Sequence, residues 1–121
     1  THHVAFHVDE NDPAVMNMTL NNAQNVQNYY ASQGDSVVIE IVAYGPGLNM
    51  FVAANSPVVD RLAMMSLEMP NLTLSACGNT HLAMQQKSGT AVPLISEAVV
   101  VPSGVVQLIS LQEQGFAYIR P

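Results

Sequence analysis

Apolar and polar positions change period several times along the chain. In HHVAFHV (2–8) they alternate, with Val4, Phe6 and Val8 on one side and His3, Ala5 and His7 on the other, so the segment reads as a strand. DENDPA follows, in which Asp12 suits an N-cap and Pro13 a first helical position. Met16, Leu20, Ala23, Val26 and Tyr30 then recur at steps of three and four, which predicts a helix closed by Gln33-Gly34. SVVIEIVAYG (36–45) is β-branched and nearly continuous, as in a strand buried on both faces of a parallel sheet. Gly45-Pro46-Gly47 ends that strand, and LNMFVAA after it predicts one helical turn. Ser56-Pro57 opens a helix to about Glu68, and Leu72–Ala76 is a short third strand. Asn79 is expected to cap a helix over Thr80–Lys87, stopped by Ser88-Gly89. Glu97–Val101 is a fourth strand, Pro102-Ser103-Gly104 opens a last helix to about Gln114, and Phe116–Ile119 is a fifth strand.

Strands and helices alternate throughout. This predicts one α/β domain over 1–121, three layers deep, with a mostly parallel five-stranded sheet and flavodoxin-like layering. The last helix is apolar on most of its sides: Val105, Val106, Leu108, Ile109 and Leu111 cannot all face one sheet. It is the leading candidate for a subunit interface.

Composition supports that reading. Charged residues are 10% of the chain, against about 25% in an average domain, while hydrophobic residues are 49%. Surface hidden in an oligomer accounts for the deficit, because obligate interfaces resemble a core cut in half. A monomer covered in amides is the alternative. The net charge is −6, and the three cations, Arg61, Lys87 and Arg120, are scattered. Nucleic acid needs clustered Lys and Arg to neutralise phosphates, so it is not an expected partner. No apolar run approaches the roughly 18 residues of a membrane span. The sequence opens without a basic-then-apolar leader, and a single free thiol suits a reducing compartment, so the expected location is cytoplasmic.

The candidate chemistry centres on Cys77, the one cysteine. It stands between a strand end and a helix start, where backbone N–H groups and the helix dipole favour a thiolate. The alternative is a small, inert core residue. In parallel sheets ligands gather at the carboxyl ends of strands. Asp9–Asp12, Tyr44–Gly47 and Cys77–Thr80 all belong to that edge. His7, near the end of its strand, either lines the cleft or is a satisfied buried imidazole. His81, four residues after Cys77, tunes the thiol only if both share a helical face; otherwise it is an exposed helix residue. Glu40 interrupts a buried strand and needs a cation, a hydroxyl or amide network, or a proton; a paired structural glutamate is favoured over a general acid or base. Asn22 falls off the polar face of the first helix, nearer its apolar side, and is the amide to watch. Other sites are excluded by absence of their patterns: no CxxC, no GxGxxG after a strand, no P-loop, no GxSxG, and Ala83 where a tyrosine phosphatase loop needs Arg. His3 and His7 lack partners at metal-ligand spacing, so no metal is expected.

FHVDEND (6–12), LNNAQN (20–25), IEIVAYGPGL (39–48), ACGNT (76–80), VPSGV (101–105) and GFAYIRP (115–121) together resemble the DsrE/DsrF-like family of small sulfur-relay proteins. The resemblance spans nearly the whole chain. It implies a parallel five-stranded sheet between helices and assembly into trimers or hexamers. It also implies sulfur carried as a persulfide on Cys77, taken from a donor protein and passed to an acceptor protein, with Asn79 and Thr80 hydrogen-bonding near the sulfur. Tyr44, before Gly45, stands where the family pattern more often has His. No metal or organic cofactor is implied. Two other functions remain open on the residues alone: a non-catalytic binding or scaffold subunit with an inert Cys77, and a thiol redox or small-ligand sensor.

Overall fold

The computed structural model describes residues 1–121. Five strands, β1 (His2–Val8), β2 (Val37–Ala43), β3 (Leu72–Cys77), β4 (Ala98–Val101) and β5 (Ala117–Ile119), form one all-parallel sheet in the order β4-β3-β2-β1-β5. The α/β architecture expected from the alternation of elements is the one observed. Four α-helices connect the strands: α1 (Pro13–Ser32), α2 (Val59–Glu68), α3 (Gly78–Ser88) and α4 (Gly104–Glu113).

Handedness decides which helix lies where. The first three crossovers step from strand to strand in one direction, and α4 returns across the sheet from one edge to the other. Right-handed crossovers therefore put α4 on the face opposite α1, α2 and α3. The packing agrees. Val4, Phe6, Ile39, Ile41 and Leu74 meet Met16, Leu20, Leu62 and Met65 in a cluster of 20 buried residues. On the other face Ala5 and Val42 meet Leu108 and Leu111 of α4, with Tyr44 and Phe116 packed against them. One layer is thus a thick apolar core, and the other is a single helix over five strands.

Several element ends differ from the sequence reading, each for a local reason. Sheet pairing of β2 stops at Ala43, opposite Val8. Gly45 has φ +56, which turns the chain out of the sheet, and the Gly-Pro-Gly stretch itself lies inside a 3-10 helix, Gly45–Phe51. Helix α2 starts at Val59, two residues beyond Pro57; Ser56 Oγ accepts the Val58 N–H at 3.2 Å, closing a turn ahead of the helix. Asp12 does cap α1, accepting the Ala14 N–H at 2.9 Å, with Pro13 at the first position. Asn79 does not cap α3. That helix begins at Gly78, and Cys77 is its N-cap.

Candidate functional site

Cys77 ends β3 and caps α3, with extended backbone angles of φ −66° and ψ 115°. An N-cap side chain normally offers an oxygen to the unpaired N–H groups of the first turn. Here the sulfur does so, accepting the Thr80 N–H at 3.5 Å. Burial alone would raise the thiol pKa. The Thr80 hydroxyl and the N–H groups of Thr80, Gly104 and Asn79 outweigh burial and hold it below the ordinary thiol value.

Two helices supply those donors. Asn79 and Thr80 belong to the first turn of α3, and Gly104 to the first turn of α4, so two positive helix ends converge on one sulfur. A Cβ at Gly104 would lie 2.7 Å from Tyr44 Cδ2 and 3.2 Å from Cys77 Cβ. Only glycine lets α4 approach this closely. Thr80 has a second bond: its Oγ1 accepts the Gly45 N–H at 2.9 Å. With that lone pair engaged, the hydroxyl proton is free for Sγ. The Gly45 turn is in this way coupled to the thiol through Thr80.

Tyr44, Cys77, Asn79, Thr80, Ser103 and Val105 line an open pocket of about 410 Å³. Its wall contains no Lys or Arg. Arg120 is held by Asp9 at 3.1 Å and lies 3.7 Å from Glu10, and Arg61 is bound to Asn17 and Asn21 on α1. Cys77 as a residue is only 5% exposed. Burial, with Asp9 next in strength, pushes the Tyr44 phenol above its usual range, so it stays protonated at neutral pH.

His7 lies beside the pocket without lining it. Its ring sits 4.6 Å from that of Tyr44, and its Nδ1 is 2.6 Å from the Tyr118 hydroxyl. Burial, partly opposed by Asp9, lowers its pKa and keeps the imidazole neutral at pH 7. The Asp9 carboxylate is 4.0 Å from Nε2, which favours the tautomer protonated there; Tyr118 then donates to Nδ1. Nε2 is the one buried side-chain nitrogen or oxygen in the chain without a hydrogen-bond partner.

Glu40 is buried under α4 and accepts from Ser75 Oγ at 2.8 Å and Gln107 Nε2 at 2.7 Å. Of the options open to it, the hydroxyl-and-amide network is the one present. Asn22 is not brought to the site: it sits half-way along α1, on the opposite face of the sheet from α4. His81 turns from the thiol, with Nε2 2.7 Å from the Val92 carbonyl oxygen, where it ties α3 to the following loop.

Ser103, Gly104 and Val105 were missed as site residues, as was Tyr118. The signal for the first three was present. They follow the carboxyl end of β4, the same sheet edge as Cys77, and the neighbouring position of β3 and β4 is all that was lacking.

No family model matches the chain, and no curated protein matches it. Among solved structures it is similar to MTH1491, a protein of unknown function from Methanobacterium thermoautotrophicum, with 31% identity, full coverage of both chains and a TM-score of 0.85. The chain belongs to the family of that protein. The shared length means that β3, α3, β4 and α4, the four elements that build the thiol site, all lie within the matched fold.

Proposed function

We propose that the protein is a sulfur carrier of the DsrE/DsrF-like type, which holds sulfur as a persulfide on Cys77. The observation that carries this reading is the set of groups around Sγ: it accepts the Thr80 N–H at 3.5 Å as N-cap of α3, and the Gly104 end of α4 packs against Cys77, beside an open pocket. Such a set favours a thiolate, the form that attacks a sulfur–sulfur bond. In the forward step the Cys77 thiolate attacks the outer sulfur of a donor R–S–SH. A new sulfur–sulfur bond forms, the donor bond breaks, and R–S⁻ leaves with the electron pair. The product on Cys77 is –S–SH. In the second step an acceptor thiolate attacks its outer sulfur and Cys77 leaves as thiolate. The same N–H groups that stabilise the starting thiolate stabilise it as leaving group. No oxidant or reductant is consumed. Donor and acceptor are proteins, and a reducing compartment such as the cytoplasm keeps the thiol free. No helix is long and apolar enough to cross a membrane.

We assign the outer side of α4 and the β4 edge to contact between copies of this chain, in a trimer or hexamer. Val99, Val105, Val106 and Ile109 are all more than half exposed there. Residues 98–112 carry no charge, so chains of net charge −6 can meet at this face without like charges opposed.

The alternative of an inert scaffold subunit draws on the 5% exposure of Cys77. Intact-mass analysis after incubation with a persulfide-generating donor separates the two. A gain of one sulfur, reversed by reductant and absent in Cys77→Ser, is expected of the carrier. No gain, under conditions where a control thiol protein loads, refutes it.

A further inference from the structure

His7 poses a question the thiol site does not answer. A buried imidazole with an unpaired Nε2 is costly, and a phenylalanine would fill the same space without that cost. What the imidazole adds is an acceptor, Nδ1, fixed to Tyr118 of the edge strand β5 at 2.6 Å.

A line of contacts runs from that bond to the thiol. Tyr118 fixes His7 in rotation. The His7 ring packs on Tyr44, 4.6 Å between centroids and tilted by 53°. Tyr44 packs on Gly104 so closely that a single added carbon would clash with its ring. The Gly104 N–H is one of the groups that hold the Cys77 thiol below its usual pKa. We infer that His7 is a positioning residue for Cys77: anchored by Tyr118, it sets the place of Tyr44, which in turn sets how near α4 brings the Gly104 N–H to the sulfur. This deepens the thiolate reading of Cys77 and rests on it. It is independent of what the thiolate is used for.

The groups that face His7 come from every element around it: Asp9 from the loop after β1, Tyr44 from the end of β2, Tyr118 from β5, and Arg120 just beyond β5. Arg120 takes Oδ1 of Asp9, and Oδ2 stays 4.0 Å from His7 Nε2, beyond hydrogen-bond reach. Tyr118 is therefore the one short hydrogen bond that orients the ring.

The test is Tyr118→Phe, which removes one oxygen from a residue 39% exposed and leaves the core intact. The pH dependence of Cys77 alkylation by iodoacetamide is followed by intact mass, beside thermal melting. Loosening Tyr44 should raise the thiol pKa by about half a unit, a roughly threefold loss of thiolate at neutral pH. His7→Gln should shift the profile in the same direction. An alkylation profile unchanged in Tyr118→Phe, with or without a lower melting temperature, overturns the inference, because a merely structural His7 would change stability and leave the thiol alone. Sulfur loading of the wild type is read separately, so failure of the carrier function and failure of this coupling are distinguishable.

Discussion

Thr80 gives the sharpest test of the thiolate site, because its hydroxyl serves two partners. Thr80→Val keeps the shape and removes the oxygen. Two things are then lost. The sulfur loses a hydroxyl donor, and the Gly45 N–H loses its acceptor, now 2.9 Å away. A hydrogen bond to a charged group is worth about 1.5–3 kcal/mol in a buried setting. At 1.36 kcal/mol per pKa unit this is an upper bound of roughly one to two units. The pocket is open and Thr80 only half-buried, so water replaces part of the loss. The expected shift of the Cys77 thiol is about 0.5–1 unit upward, a threefold to tenfold fall in thiolate near neutral pH. The whole pH profile of alkylation must be measured rather than one rate, since intrinsic nucleophilicity rises as thiol pKa rises and masks part of the effect at any single pH. The orphaned Gly45 N–H should cost about 1 kcal/mol of stability, seen in urea denaturation. Thr80→Ser restores the hydroxyl and should restore the profile. A Thr80→Val midpoint equal to that of wild type would show that the hydroxyl does not serve the sulfur, and the argument from converging donors would lose its strongest member.

Linkage supplies a second prediction. The Cys77 pKa is lower in the folded chain than in the unfolded one. Its contribution to stability is therefore fully present above the ordinary thiol pKa of about 8.5, and is lost as pH falls through the folded value. Over that interval the stability of the wild type should rise with pH relative to Cys77→Ser, and equal slopes in a urea titration at several pH values would refute the shift. A third concerns the bare face of α4. Val106→Asp and Ile109→Asp introduce charge at side chains 58% and 51% exposed, so the folded monomer should tolerate them, while an assembly through this face should dissociate. Analytical ultracentrifugation reads the outcome; an unchanged oligomer, or a wild type already monomeric, removes the interface assignment.

How much of this was legible in the sequence depends on how local the cause is. The first strand and first helix were readable because alternation, Asp12 and Pro13 act within a few residues. The end of β2 was harder, because Tyr44 remains extended while only Gly45 turns. Side-chain preference points to Asn79 as the cap of α3, whereas the cap is Cys77. Asn is the better capping residue in general, but Gly78 allows the helix to start earlier, and the sulfur of Cys77 reaches Thr80 N–H. The angle of Asn22 around the helix axis sets it apart from the polar face of α1. Its height along the axis, about 13 Å from Pro13 at 1.5 Å per residue, matters more. Partners distant in sequence were out of reach. Nothing local ties Glu40 to Ser75 and Gln107, or His7 to Tyr118; strand order does.

That strand order also explains why the chemistry lies where it does. Alternation along parallel strands sends every second residue to each face. The face under α1, α2 and α3 receives Val4, Phe6, Ile39, Ile41 and Leu74, and needs no polar partner. The face under α4 receives His7, Glu40, Ser75 and Cys77, and these include all the buried polar strand residues. Polar groups are tolerable there because the face is thin. One helix offers Gln107 to Glu40 and the Gly104 N–H to Cys77, and its N-terminus stops at the sheet edge where the pocket opens. A second full helical layer would cover the thiol. No α4 would leave Glu40 without its amide and Cys77 without one of its donors. The folded chain is anchored by one face so that the other can hold reactive and polar groups under a single, closely packed helix, and Gly104 is the point where that packing and the chemistry of the thiol meet.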